Sequence, residues 1–185
     1  VGDLPQVSIK DINGIVAHVQ LEQNVGPQAA IVAIDNPTGE IKAMVGGYSF
    51  EDSKFNRATQ AQRQVGSSFK IYVYSAAIEQ GFTPFDTILD APFTVMSGGQ
   101  AYSPHNYDEK FEGVITLRRA LEGSRNVPAV KLAEKTGINN VIDMARRFGI
   151  TSPLPPYLPL ALGSADLNLL EHTSAFTVFP DDGIR

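Results

Sequence analysis

The segment from Ser67 to Gln80 constrains the fold of this chain more than any other. Its spacing predicts a helix. Phe69, Val73, Ala76 and Ala77 share one face, and Ile71, Tyr74 and Ile78 carry the apolar surface round the sides. A helix apolar nearly all round has no face to give to water, so it must be a central, buried one. Gly81 and then Pro84 follow where a helix stop is wanted. Yet this helix opens on Val65-Gly66-Ser67-Ser68-Phe69-Lys70, which puts a lysine at the head of a buried element. Positions three apart lie on one helix face, so the Ser67 hydroxyl and the Lys70 amine can meet. A buried lysine whose charge is suppressed can take the serine proton and make the hydroxyl a nucleophile. Ser67 also brings a backbone N–H without a helical acceptor, suited to an oxyanion, and Gly66 leaves room for a substrate. By chance alone a chain of this length shows about one Ser-x-x-Lys. The weight here comes from its place at the start of a buried helix.

Around this helix the chain punctuates itself clearly. Residues 1–28 are weakly patterned, with short strands expected near Val7, Ile9 and Ile12 and again over Ile15-Val16-Ala17. Ala29 to Asp35 and Ile41 to Val45 are apolar runs joined by Asn36-Pro37-Thr38-Gly39, which reads as a hairpin whose sheet is covered on both faces. Tyr48 to Gln64 is polar and reads as loop or short helix, and Thr83 to Gly113 as a long irregular excursion of the kind that lines sites. Thr116 can cap a helix over Leu117 to Glu122, with Gly123 as its stop. Pro128 suits the first turn of the next helix, which runs to about Lys135 and ends at Gly137. A third helix is expected from Asn139 to Phe148, stopped by Gly149. Pro153, Pro155, Pro156 and Pro159 argue against regular structure, and a last helix covers about Leu167 to Phe179.

The totals remove several function classes. The formal net charge is -5 with basic residues dispersed, which argues against a nucleic-acid partner. There is no cysteine, so neither a disulfide nor a thiolate metal site can form. His18, His105 and His172 lack metal-ligand spacing and read as surface or hydrogen-bonding residues. No apolar run approaches the ~20 residues of a membrane span. Val1 does not read as a natural start, so any targeting segment is expected before it.

A second candidate element is Ser124-Arg125-Asn126, in the tight connection between two expected helices. Ser124 could relay a proton between a substrate nitrogen and Lys70, and the Asn126 amide could hold a substrate carbonyl and the lysine. The simpler reading is a helix cap. It is the only Ser-x-Asn in the chain, and it follows the Ser-x-x-Lys.

Ser-x-x-Lys, then Ser-x-Asn, then Lys-Thr-Gly is the signature of penicillin-binding proteins and serine β-lactamases. The stretches AAIVAIDNPTGEIKAMVGG, FNRATQAQRQVGSSFK, YSPHNYDEKFEGVITLRRALEGSRNVPAV and LALGSADLNLLEHTSAFTVF resemble the transpeptidase domain of class A, bifunctional penicillin-binding proteins. The resemblance covers nearly everything from Gln28 to Arg185. Val65 and Ile71 depart from it, standing where the family usually or often has proline.

The resemblance implies an α/β fold with a mainly antiparallel sheet flanked by helices. It implies Ser67 as nucleophile, Lys70 as general base, and Ser124 and Asn126 as the second motif. It implies acyl transfer from D-Ala-D-Ala stem peptides of peptidoglycan to an acceptor amine, and acylation by β-lactams. No metal or organic cofactor is implied. The full-length protein would be anchored in the inner membrane and act on the extracytoplasmic face of the cell envelope. Residues 1–28 would be a preceding linker or the edge of another module, and 29–185 the N-terminal part of the domain.

Lys135-Thr136-Gly137 has the letters of the third motif, but it falls at a helix end where Gly137 serves as the stop, so it reads as a decoy. The true third motif and its strands are then expected on a second polypeptide or C-terminal fragment, with Arg185 as a trypsin-like nick site. Two rivals keep Ser67: a D,D-carboxypeptidase or β-lactamase that uses water as acceptor, and a non-catalytic β-lactam-binding sensor. A β-lactamase needs a carboxylate to activate water. Glu171 is the nearest candidate, but its apolar helix and surroundings make it read as structural.

Overall fold

The computed structural model describes residues 6–22 and 26–184. Residues 1–5, with the Val1 start, residues 23–25, and Arg185 of the expected nick site lie outside the described residues. In chain order the elements are β1 (Gln6–Asn13), β2 (Val16–Glu22), β3 (Ile31–Ile34), β4 (Ile41–Val45), β5 (Arg63–Gln64) and α1 (Lys70–Glu79). Then come β6 (Thr87–Asp90), β7 (Val95–Ser97), β8 (Gln100–Tyr102), β9 (Gly113–Thr116), α2 (Leu117–Glu122), α3 (Asn126–Thr136) and α4 (Ile138–Arg147). β10 (Asp166–Leu167) and α5 (Leu169–Phe176) close the order. The strands pair antiparallel as β1–β2, β3–β4, β5–β10, β6–β9 and β7–β8.

The core forms around α1, as its composition requires. Phe69, Tyr72, Val73 and Ala77 are fully buried against Val130, Leu132 and Ala133 of α3, Val141 and Ala145 of α4, and Leu160. Phe69 meets Tyr72 edge-on with centroids 4.9 Å apart, a geometry worth about 0.5–1.5 kcal/mol beyond the area it buries. The expected start at Ser67 is modified. Residues Gly66–Phe69 form a 3-10 turn, and the α-helix proper begins at Lys70. Gly66 takes φ 57, and its N–H donates to Gly163 O at 3.2 Å. A Cβ at Gly163 would lie 2.0 Å from Gly66 O, so the nucleophile-bearing turn is fixed by backbone packed directly on backbone.

The β3–β4 hairpin forms with the expected turn. Asp35 N and Gly39 N close it onto Glu40 O and Asp35 O at 2.9 and 2.8 Å, and Gly39 has φ 70. Its expected covering on both faces is absent among the described residues: Ile31, Ile41, Met44 and Val45 are exposed. β1–β2 forms a hairpin where only short strands were expected, with a register shift between Ile9 and Asp11.

The excursion from Thr83 to Gly113 is far more regular than expected. It holds β6, the β7–β8 hairpin and the start of β9. Ser97 pairs with Gln100 across Gly98-Gly99, both at positive φ (59 and 78), which is the two-residue turn that matches strand twist. Tyr48 to Gln64 contains no helix but supplies β5, and the expected last helix is shortened at its front because Asp166–Leu167 pairs with Gln64 and Arg63. Helix α5 then starts at Leu169, where the Asn168 side chain accepts from Glu171 N. The proline segment is not wholly irregular either. Residues Leu158–Leu162 form a 3-10 turn, since a proline in a first turn forfeits no hydrogen bond.

Helix α2 is capped as expected, with Thr116 Oγ1 accepting from Arg119 N at 3.2 Å. Its stop differs. Gly123 keeps φ -79, and the left-handed residue is Ser124, with φ 48. Ser124 N donates to Leu121 O and Arg125 N to Ala120 O, both at 2.9 Å, the paired bonds of a Schellman closure.

Candidate active site

The left-handed turn at Ser124 delivers that residue to the head of α1. Lys70 is 1% exposed, and its Nζ is 3.1 Å from Ser67 Oγ, 3.0 Å from Ser124 Oγ, 2.6 Å from Ser124 O and 2.7 Å from Asn126 Oδ1. The four residues singled out in the sequence therefore meet around one amine. Their elements are different: Ser67 rides the 3-10 turn, Lys70 opens α1, Ser124 closes α2 and Asn126 opens α3.

Burial is the main reason the Lys70 amine is lowered from the ordinary 10.5 to about 8, and the Arg125 guanidinium adds to it. Arg125 has a function the sequence reading missed. It is buried, and its Nε donates to Asp90 Oδ2 at 2.9 Å while its Nη1 reaches Asp108 Oδ2 at 3.0 Å. Its Nη2 donates to Lys110 O. A buried cation so paired stays charged next to Lys70 without being left uncompensated. The x of a Ser-x-Asn carries no sequence signal for this, because the partners lie 17 and 35 positions away.

Behind the nucleophile lies a second polar group, also missed. His172 Nε2 is 2.7 Å from Ser68 Oγ, and His172 Nδ1 is 3.0 Å from Tyr72 Oη. Ser68 Oγ donates to Val65 O at 2.7 Å, so it accepts from His172 Nε2–H, and the imidazole accepts from Tyr72 at Nδ1. Burial lowers the His172 pKa, with the Glu171 charge working the other way. The expectation of a hydrogen-bonding histidine holds for this residue, which ties α5 to α1.

Glu171 is occupied elsewhere. Its carboxylate accepts from Thr151 N, from Thr151 Oγ1 at 2.8 Å, from Ser152 N at 2.9 Å and from Ser152 Oγ at 2.6 Å. Burial opposes its charge, but these hydrogen bonds outweigh it and hold the pKa below the ordinary range. A carboxylate pinned by both oxygens to the 151–152 turn is structural, which agrees with the reading of Glu171 from the sequence. Lys135-Thr136-Gly137 lies where the decoy reading puts it: Thr136 ends α3, Lys135 is exposed, and Gly137 takes φ 85.

Residues 29–173 match the family described as "Penicillin binding protein transpeptidase domain". The chain belongs to the penicillin-binding protein transpeptidase family. It is 41% identical over 162 residues to penicillin-binding protein 1A of Neisseria lactamica and 43% over 159 residues to that of Aquifex aeolicus. These alignments cover 85% and 84% of this chain but 20% and 22% of the relatives, so the chain spans about a fifth of their length. Its fold superposes on penicillin-binding protein 1A of Haemophilus influenzae with a TM-score of 0.81 and 37% identity, over 87% of this chain and 24% of that one. PonA1 of Mycobacterium tuberculosis, solved in complex with penicillin V, gives 0.71 and 28%, over 82% and 44%. The α/β architecture with antiparallel strands is that of the family.

Proposed function

We propose that this chain is the nucleophile-bearing part of a peptidoglycan D,D-transpeptidase. The observation that carries the reading is a buried lysine, with its pKa lowered to about 8, lying 3.1 Å from a serine hydroxyl in a member of this family. Neutral Lys70 takes the Ser67 proton as Oγ attacks the penultimate D-alanine carbonyl of a stem peptide. Ser67 sits in the first turn of its 3-10 helix, where backbone N–H groups lack helical acceptors, so its N–H is available to the oxyanion. The proton then passes from the Lys70 ammonium through Ser124 Oγ to the departing nitrogen, the C–N bond breaks, and D-alanine leaves. The resulting ester on Ser67 is attacked by the amine of a second stem. That amine gives up its proton along the same route, the cross-link forms, and Ser67 Oγ recovers a proton. A β-lactam follows the first half, with the opened ring held on the serine.

The same reading assigns the chain to the extracytoplasmic face of a bacterial envelope, anchored through a segment outside it. It also requires a further polypeptide segment, carrying a Lys-Thr-Gly strand, to complete the domain. The chemistry uses side chains and backbone alone.

The test is to label the complete protein with a fluorescent penicillin and map the modified peptide. Stable label on Ser67, abolished in Ser67→Ala, is expected. Label on another residue, or undiminished label in Ser67→Ala, overturns the assignment. Release of D-alanine with formation of a cross-linked dimer, rather than of a hydrolysed tetrapeptide, tests the amine acceptor.

A further inference from the structure

The loop after β8 contributes no residue to either motif, yet it is bound into the site. Asn106 is 2% exposed. Its Oδ1 accepts from Asn126 N at 2.8 Å and Val127 N at 3.1 Å. These are the first N–H groups of α3, and the N-cap residue Arg125 makes no side-chain cap bond. A helix start needs acceptors for such groups, and here they come from a distant loop. Asn106 Nδ2 donates to Asp90 Oδ1 at 2.7 Å and to Lys110 O at 2.9 Å. Asp90 is fully buried, and its Oδ2 accepts from Arg125 Nε at 2.9 Å and Glu112 N at 3.1 Å. Next to Asn106, His105 O accepts from Asn126 Nδ2 at 2.8 Å, which turns Asn126 Oδ1 toward Lys70 Nζ, 2.7 Å away.

Asn106 thus joins the helix end that carries Asn126 to the carboxylate that holds Arg125. Immediately before these two anchored residues lies Ser124, at φ 48, a conformation disfavoured for a residue with a Cβ. The Schellman closure holds Ser124 from the α2 side, and Asn106 holds it from the α3 side.

We propose that Asn106, acting with Asp90, is a positioning residue for the Ser67–Lys70 centre, setting where Ser124 and Asn126 sit against the lysine. The inference rests on the acyl-transfer reading above. It assigns no contact between Asn106 and the reacting atoms. The amide is suited to the place because its oxygen accepts from the helix start while its two N–H groups donate to Asp90 and Lys110 O. A carboxylate at 106 would still cap the helix but would confront both Asp90 and Lys110 O; exchanging the two side chains restores the donor–acceptor pair with position 90 and leaves only the Lys110 O contact unmatched.

The experiment follows fluorescent penicillin acylation of the complete protein, separating the first-order acylation constant from the non-covalent dissociation constant, with thermal unfolding measured alongside. For Asn106→Ala the acylation constant is expected to fall about 100-fold and the dissociation constant to change less than about threefold. Asn106→Asp is expected to fall as far. Adding Asp90→Asn to it is expected to bring acylation back to within about tenfold of the parent. If Asn106→Ala does not fold, the Asn106→Asp pair decides alone. Parental acylation in a folded Asn106→Ala overturns the inference. So does an exchanged double variant that regains thermal stability but not acylation. Absence of label on Ser67 in the parent overturns the acyl-transfer reading instead, which keeps the two failures apart.

Discussion

Lys70 and Ser124 each hold a state that water or an open chain would not give them. Lys70 is lowered to about 8 by burial first and by Arg125 second. If its neutral form is the base, acylation should fall about tenfold for each pH unit below 8 and level off above it, read from penicillin acylation rates across pH. The same shift affects folding. Between about 8 and 10.5 the unfolded chain binds more protons than the folded one, so stability should rise with pH across that window. Ser124 pays a backbone cost of about 1–2 kcal/mol for its left-handed φ of 48. Ser124→Gly relieves it and Ser124→Ala does not. Of these two variants, both without the hydroxyl, Ser124→Gly should be the more stable by about 1 kcal/mol in denaturant unfolding. Both should acylate slowly, since each has lost the oxygen 3.0 Å from Lys70 Nζ.

At the scale of elements, two attachments hold the site in place without taking part in it. Helix α5 is fastened by Glu171 to Thr151 and Ser152 and by His172 to Ser68 and Tyr72. Glu171→Ala leaves two backbone N–H groups without their acceptor, so a loss of about 2–3 kcal/mol is expected in thermal or denaturant unfolding. Ser67 labelling should persist in that variant at temperatures where it stays folded. The 3-10 turn carrying Ser67 rests on Gly163, which takes φ 74 and has no space for a side chain. Gly163→Ala should cost more than about 1 kcal/mol from φ alone. It should also slow acylation, because relief of the clash must move Gly66 and with it Ser67.

Across the described residues, helices cover α1 well, while the β3–β4 hairpin meets chiefly α5, along β3, and leaves most of its apolar side chains exposed. Ile31 is 61% exposed and Val45 51%. A cleft of about 840 Å³ opens beside it, lined by Ala30, Gln64, Val65, Leu167 and His172 among others. On the proposal above, a completing segment would pack on the exposed hairpin, and exposed apolar surface of this kind drives association when left open. The chain expressed alone should therefore run as aggregates or oligomers in size-exclusion chromatography and bind a hydrophobic dye. Adding the completing segment should reverse both. A folded 20.0 kDa monomer that binds no dye would contradict this.

The helices and the β3–β4 hairpin were legible because their signals are local. The Thr116 cap, the glycine at 137 and the apolar faces of α1 act over a turn or two of chain. The Gly98-Gly99 hairpin has an equally local signal, a two-glycine turn, although it falls within the stretch read above as an irregular excursion. Other features have no local signature. The two-residue pairing of β5 with β10 joins segments that lie far apart in the chain. The left-handed residue after α2 is Ser124 rather than Gly123, because the α3 start two residues on is fixed by donating to the distant Asn106 Oδ1, which outweighs glycine's greater freedom. The sequence by itself determined the helices and the β3–β4 hairpin and placed Ser67 and Lys70 on one face, since periodicity and capping depend on near neighbours. Only the tertiary structure decided that Ser124 and Asn126 converge on that lysine and that Arg125, Asp90 and Asn106 hold them there. Such contacts arise from long-range packing, where burial forces each polar group to find a partner.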